Sequence, residues 1–122
     1  MNYKGIIIEE SLEDPSILSE LEIIETKVIP VGPEQKTPWL LQWTLHTVEF
    51  SDDKADRIAD EISKSIDAQH PQWYADFKND THHYIVFLMK VFKIELADVR
   101  TYEEAKKFGR QLGIPSEQLD FI

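Results

Sequence analysis

From His70 to Ile94 the chain reads HPQWYADFKNDTHHYIVFLMKVFKI, and this stretch limits the possible folds more than any other. Aromatic and β-branched residues flank Asn79-Asp80 on both sides, which is the composition of two strands joined by a tight turn. Asn and Asp tolerate the positive φ of a two-residue hairpin turn, so the sequence predicts pairing of Lys78 with Thr81. Alternation then divides the hairpin into two faces. One carries Tyr74, Asp76, Lys78, His83, Ile85 and Phe87, with Asp76 directly opposite His83. The other carries Trp73, Ala75, Phe77, His82, Tyr84 and Val86 and reads as core.

The segments before it alternate between strand and helix patterns. Tyr3–Ile8 holds three consecutive isoleucines and is expected to be a central strand buried on both faces. Asp14 and Pro15 signal a short helix containing Ile17, Leu18 and Leu21. Glu22 to Val31 is a second strand, followed by the loop GPEQKTP. In Trp39–Phe50, Trp39, Leu41, Trp43 and Leu45 fall on one side and Gln42, Thr44 and His46 on the other. The first set is assigned to the core and the side bearing His46 to solvent.

Ser51 precedes a helix whose Ala55, Ile58, Ala59, Ile62 and Ile66 share one side, and His70-Pro71 closes that region. The strand after the hairpin turn is expected to run unbroken from His83 to Leu96. Thr101 and Glu104 have capping-box spacing ahead of a helix that buries Tyr102, Ala105, Phe108 and Leu112, stopped by Gly113 and Pro115. Leu119, Phe121 and Ile122 are expected either to anchor the tail or to form an exposed apolar end.

This order predicts one α+β domain over residues 1–122. The sheet is mainly antiparallel, of about five strands, with the helices packed on one face. The plan is ferredoxin-like, a split βαβ arrangement, with an extra strand and a C-terminal helix. A face left uncovered by helices leaves room for a homodimer formed through the sheet. The segments KTPWLLQWTLHTVEF, WYADFKND, HYIVF and LGIPSEQLDF resemble those of a group of small prokaryotic proteins of unknown function, over nearly the whole chain. That resemblance implies no activity, cofactor or site residue.

Charge and composition exclude several kinds of function. A formal net charge of −10 repels nucleic acid and anionic membrane surfaces. Without cysteine there are no disulfides, thiolate metal sites or thiol nucleophiles. The amino-terminal run of three isoleucines meets glutamates at once, too short for a signal peptide or membrane span, so the expected location is cytoplasmic. No P-loop, GxGxxG, GxSxG or HExxH motif occurs, and no cofactor is expected.

The candidate site is therefore the hairpin face with Tyr74, Asp76, Lys78 and His83, supplemented by His46. Asp76 could orient His83 for acid-base work, the alternative in which the 73–87 hairpin belongs to a small enzyme or metal-dependent protein. His82 and His83 are adjacent and diverge on a strand, so with His70, Asp76 and Asp80 they make a poor metal set, and no metal is expected. Trp39, Trp43, Trp73, Tyr74 and Phe77 could instead form an aromatic surface for a protein or small-molecule ligand. The preferred expectation is a small binding or interaction module.

Overall fold

The computed structural model describes residues 2–33 and 37–119. Six strands form one antiparallel sheet in the order β2-β3-β1-β4-β5-β6. They are β1 (Tyr3–Ile8), β2 (Glu22–Pro30), β3 (Gln42–Phe50), β4 (Tyr74–Lys78), β5 (His82–Phe87) and β6 (Lys90–Glu95), with helices α1 (Asp52–Ser65) and α2 (Thr101–Gln111). Strand β3 lies between β1 and β2, and β1 lies between β3 and β4. The link from β1 to β2 is made of 3-10 turns at Glu9–Ser11 and Pro15–Glu20, and Asp14 caps the second by accepting from the Ser16 amide at 3.1 Å. Among the described residues no helix is long and apolar enough to cross a membrane.

The strand expected to run unbroken from His83 to Leu96 is divided at Leu88-Met89, so the described sheet has six strands against the expected five or so. There the apolar run folds back, pairing Phe87 with Lys90, and Met89 takes a φ of 59°. Nothing in FLMK marks a turn, because the turn is held from outside. The Ser63 hydroxyl near the end of α1 donates to the Phe87 carbonyl at 2.6 Å, and the Met89 amide donates to the Ser63 carbonyl at 3.1 Å.

The helices do not share a face, contrary to expectation. Helix α1 buries Ala55, Ile58, Ala59 and Ile62 with Tyr3, Ile7, Val48, Phe77, Tyr84 and Val86. Helix α2 buries Tyr102 and Ala105 with Ile85, Phe87 and Ile94. Since Tyr84 and Val86 alternate with Ile85 and Phe87 along β5, the helices cover opposite faces. The two-sided apolar pattern of β5 is the cause, because each of its faces needs its own cover.

Helix α2 reaches only the β5-β6 end of its face, so the middle strands stay open there. Ile6 on β1 is 48% exposed although Ile7 beside it is buried, so this central strand is covered on one face only. Along β3 the apolar side changes halfway: Trp43 and Leu45 occupy the open face, while Val48 and Phe50 occupy the α1 face beyond His46. The expectation that Trp39, Leu41, Trp43 and Leu45 form core is corrected, with Leu41 92% exposed. His46, assigned to solvent, is buried.

Two local signals also resolve differently. Asn79 initiates the hairpin through its side chain, accepting from the amides of Thr81 and His82 at 2.9 Å, and the strands pair Lys78 with His83. Relative to the predicted register this is a shift of two residues, which leaves every side chain on its assigned face. The capping box does not form: Thr101 is already helical, and Asp98 accepts from the Arg100 amide at 3.2 Å. The stop at Gly113 holds, with φ at 90°. Leu119 is buried against α2, while Phe121 and Ile122 lie outside the described residues, as does part of the GPEQKTP loop.

Candidate functional site

The open face of the sheet is the floor of a groove of about 730 Å³. Ile6 and Ile8 of β1, Leu45 of β3, and Tyr74 and Asp76 of β4 lie along it. The segment after α2, through Gly113, Pro115 and Gln118, and the loops carrying Trp39, His70 and Gln72 complete its lining. All three tryptophans line it. Its volume falls within the range of small-molecule sites, roughly 300–1,000 Å³.

Hydrogen bonds hold the walls in place. Trp43 Nε1 donates to Thr37 Oγ1 at 2.9 Å, and the Trp43 and Trp73 rings meet edge-on at 5.4 Å. The indole N–H of Trp73 is buried and finds no acceptor among the described residues. The Tyr74 hydroxyl donates to the Gln118 carbonyl, tying the segment after α2 to the sheet. Trp39 stacks on the His70 imidazole with centroids 3.8 Å apart and planes 10° apart. The imidazole is set by Asp67, whose Oδ2 lies 2.7 Å from Nδ1, and whose Oδ1 accepts from the Gln69 amide at 3.0 Å. The hydrogen bond with His70, reinforced by that with the Gln69 backbone, holds the Asp67 carboxyl below its ordinary range.

Behind the groove, Asp76, His83 and Tyr102 form a chain. Asp76 Oδ2 lies 2.7 Å from His83 Nε2, and His83 Nδ1 lies 2.6 Å from the Tyr102 hydroxyl. Because Lys78 is the partner across from His83, the Asp76 contact is diagonal across β4 and β5. Burial, and then the charge of Asp76, push the Tyr102 hydroxyl above its usual range. A carboxylate oxygen accepts, so His83 Nε2 donates to Asp76.

The structure brings together only part of the sequence-derived set. Tyr74 and Asp76 line the groove, whereas His83 is 1% exposed behind Asp76 and has both nitrogens engaged. Lys78 is exposed on the same face, paired with Lys4 of β1, outside the lining. His46 belongs to the opposite face, between Thr26 Oγ1 and Glu9 Oε1, each 2.8 Å away. His82 points away from His83, with Nδ1 2.9 Å from Thr81 Oγ1. Among the described residues, no three of the potential metal-ligating side chains gather around a point.

Of the aromatic surface considered from sequence, Trp39, Trp43, Trp73 and Tyr74 line the groove, and Phe77 is buried in the α1 core. His70, Gln72 and the Ile6-Ile8-Leu45 floor were not anticipated. The polar residues alternating with Trp43 and Leu45 could have marked that side only if the coverage by α1 had been known. Comparisons with protein-family models, curated proteins and solved structures find no match for the chain.

Proposed function

We propose that this chain is a small cytoplasmic ligand-binding module whose groove takes a small, largely apolar molecule. The observation carrying this reading is the convergence of Trp39, Trp43 and Trp73 with Tyr74 and Asp76 around one open cavity. Aromatic walls supply binding energy through buried area, while a few polar groups set orientation. The scaffold reads as ferredoxin-like over the strand order β2-β3-β1-β4, with 3-10 turns where the first crossover helix would lie and β5, β6 and α2 added.

The enzyme alternative loses its histidine, because both nitrogens of His83 are engaged and neither faces the groove. A protein-interaction role has a separate support. Edge strand β2 exposes Ile23, Ile24 and Val28, which suits self-association through the sheet. Sedimentation at high micromolar concentration tests that role, and a monomer there removes it.

The binding reading is tested by following the three indole N–H resonances while a panel of fragment-sized aromatic and aliphatic compounds is added. At least one compound is expected to shift all three resonances together. A panel that leaves them unmoved at millimolar concentration overturns the reading.

A further inference from the structure

The charges around the groove are one-sided. Among its described lining residues Asp76 is the one carboxylate, and neither lysine nor arginine is present. The Asp76 side chain is 45% exposed, so a ligand can reach it. Four of the other lining residues are Trp39, Trp43, Trp73 and Tyr74, and the Trp39 indole is nearly half exposed. Ring faces carry a negative quadrupole that attracts cations, and Asp76 adds a full negative charge to the same groove. Over longer distances the chain's net charge of −10 draws cations in and turns anions away.

From this we infer that the groove binds an organic cation: an ammonium group at Asp76 carried on an aryl or alkyl body that lies among the indoles. The inference rests on the binding reading above and names its ligand class.

The hydrogen-bond chain behind Asp76 gives this site its preorganisation. His83 Nε2 engages Oδ2 from the buried side, and Nδ1 of the same ring is hydrogen-bonded with the Tyr102 hydroxyl. The carboxylate is thereby held in one orientation, with Oδ1 left to meet the ammonium group, so little side-chain entropy is lost on binding. Lys4 and Lys78 set the ligand's direction. They face each other one step further along the same face, beyond Ile6 and Asp76, and would repel a cation extending that way. The body must therefore run from Asp76 toward Trp43 and Trp39.

Three probes sharing a phenyl-alkyl body separate the possibilities: phenethylamine, 2-phenylethanol and 3-phenylpropionate. Their binding to the full chain is followed by calorimetry and by tryptophan emission. Phenethylamine is expected to bind about tenfold or more tighter than the alcohol, with the carboxylate weakest. In Asp76→Asn, which can still accept from His83, amine affinity should fall to about that of the alcohol, while alcohol affinity is unchanged. Trp39→Leu, at an exposed position, should weaken amine and alcohol alike. Equal affinities for the three probes, preference for the carboxylate, or an amine preference that survives Asp76→Asn would each overturn the cation assignment and leave the binding reading standing. Failure of all three probes to bind at millimolar concentration would overturn both.

Discussion

The buried imidazole of His83 sits 2.7 Å from the Asp76 carboxylate, which is half exposed at the edge of the groove. Histidine is thus the support and the carboxylate the working surface. Replacing His83 by Phe removes the hydrogen-bond partner that Asp76 and Tyr102 share, at a cost of about 1–3 kcal/mol. Asp76→Asn keeps an acceptor for Nε2 and should cost under about 1 kcal/mol. Urea unfolding of the two variants measures the difference; equal losses would mean that the carboxylate's charge, and not the hydrogen bond, stabilises the chain.

Gly5 admits β4 to the sheet at the position of this same carboxylate. A Cβ at residue 5 would lie 2.0 Å from the Asp76 carbonyl oxygen and 2.8 Å from Phe77 Cδ1. Backbone cannot yield as a flexible side chain does, so Gly5→Ala is expected to destabilise by about 2–3 kcal/mol. Thermal unfolding checks this, with Gly113→Ala as a comparison: there the nearest atom, Gln72 Nε2 at 3.7 Å, is at ordinary contact distance and only the φ of 90° resists the change.

Met89 holds a left-handed backbone conformation on a side chain that is mostly exposed, so little packing is lost on replacing it. Met89→Gly removes the conflict between Cβ and backbone and should stabilise by about 0.5–1 kcal/mol after the entropy of glycine in the unfolded chain is set against it. A lower midpoint in chemical denaturation would show that the Met89 side chain makes a net contribution to the turn.

Acid should release the Trp39 wall before the rest of the sheet. The Asp67 carboxyl is depressed below 3.8, chiefly by its hydrogen bond with His70. A depressed carboxyl contributes stability that is fully present above its unfolded value and lost as pH falls through the folded one. The expected window therefore opens below about pH 3.8, with a change in Trp39 emission as the stacked His70 comes free. Asp67→Asn should abolish that step; its persistence would assign the change to another carboxyl.

Much of the hairpin was legible because a strand's period of two survives an error in register. Pairing Lys78 with His83 in place of Thr81 moves the turn yet leaves Tyr74, Asp76, Lys78 and His83 on one face. The α1 stripe was legible because its apolar residues recur at helical spacing and all meet one surface. Leu88-Met89 was not, because its turn depends on Ser63, twenty-four residues before Phe87. The groove was legible only in its materials: Trp39, Trp43, Trp73 and Tyr74 were visible as an aromatic set, without the information that would separate wall from core.

By itself, then, the sequence determined where most strands and both long helices lie and which side chains share a strand face, since those follow from local periodicity and from Gly and Pro. Only the tertiary structure decided that α1 and α2 cover opposite faces, that α2 stops short of β1 and β3, and that Trp43 and Leu45 consequently border a groove. The physical reason is that burial belongs to a pair of surfaces. An apolar face has the same sequence whether a helix covers it or leaves it open for something else.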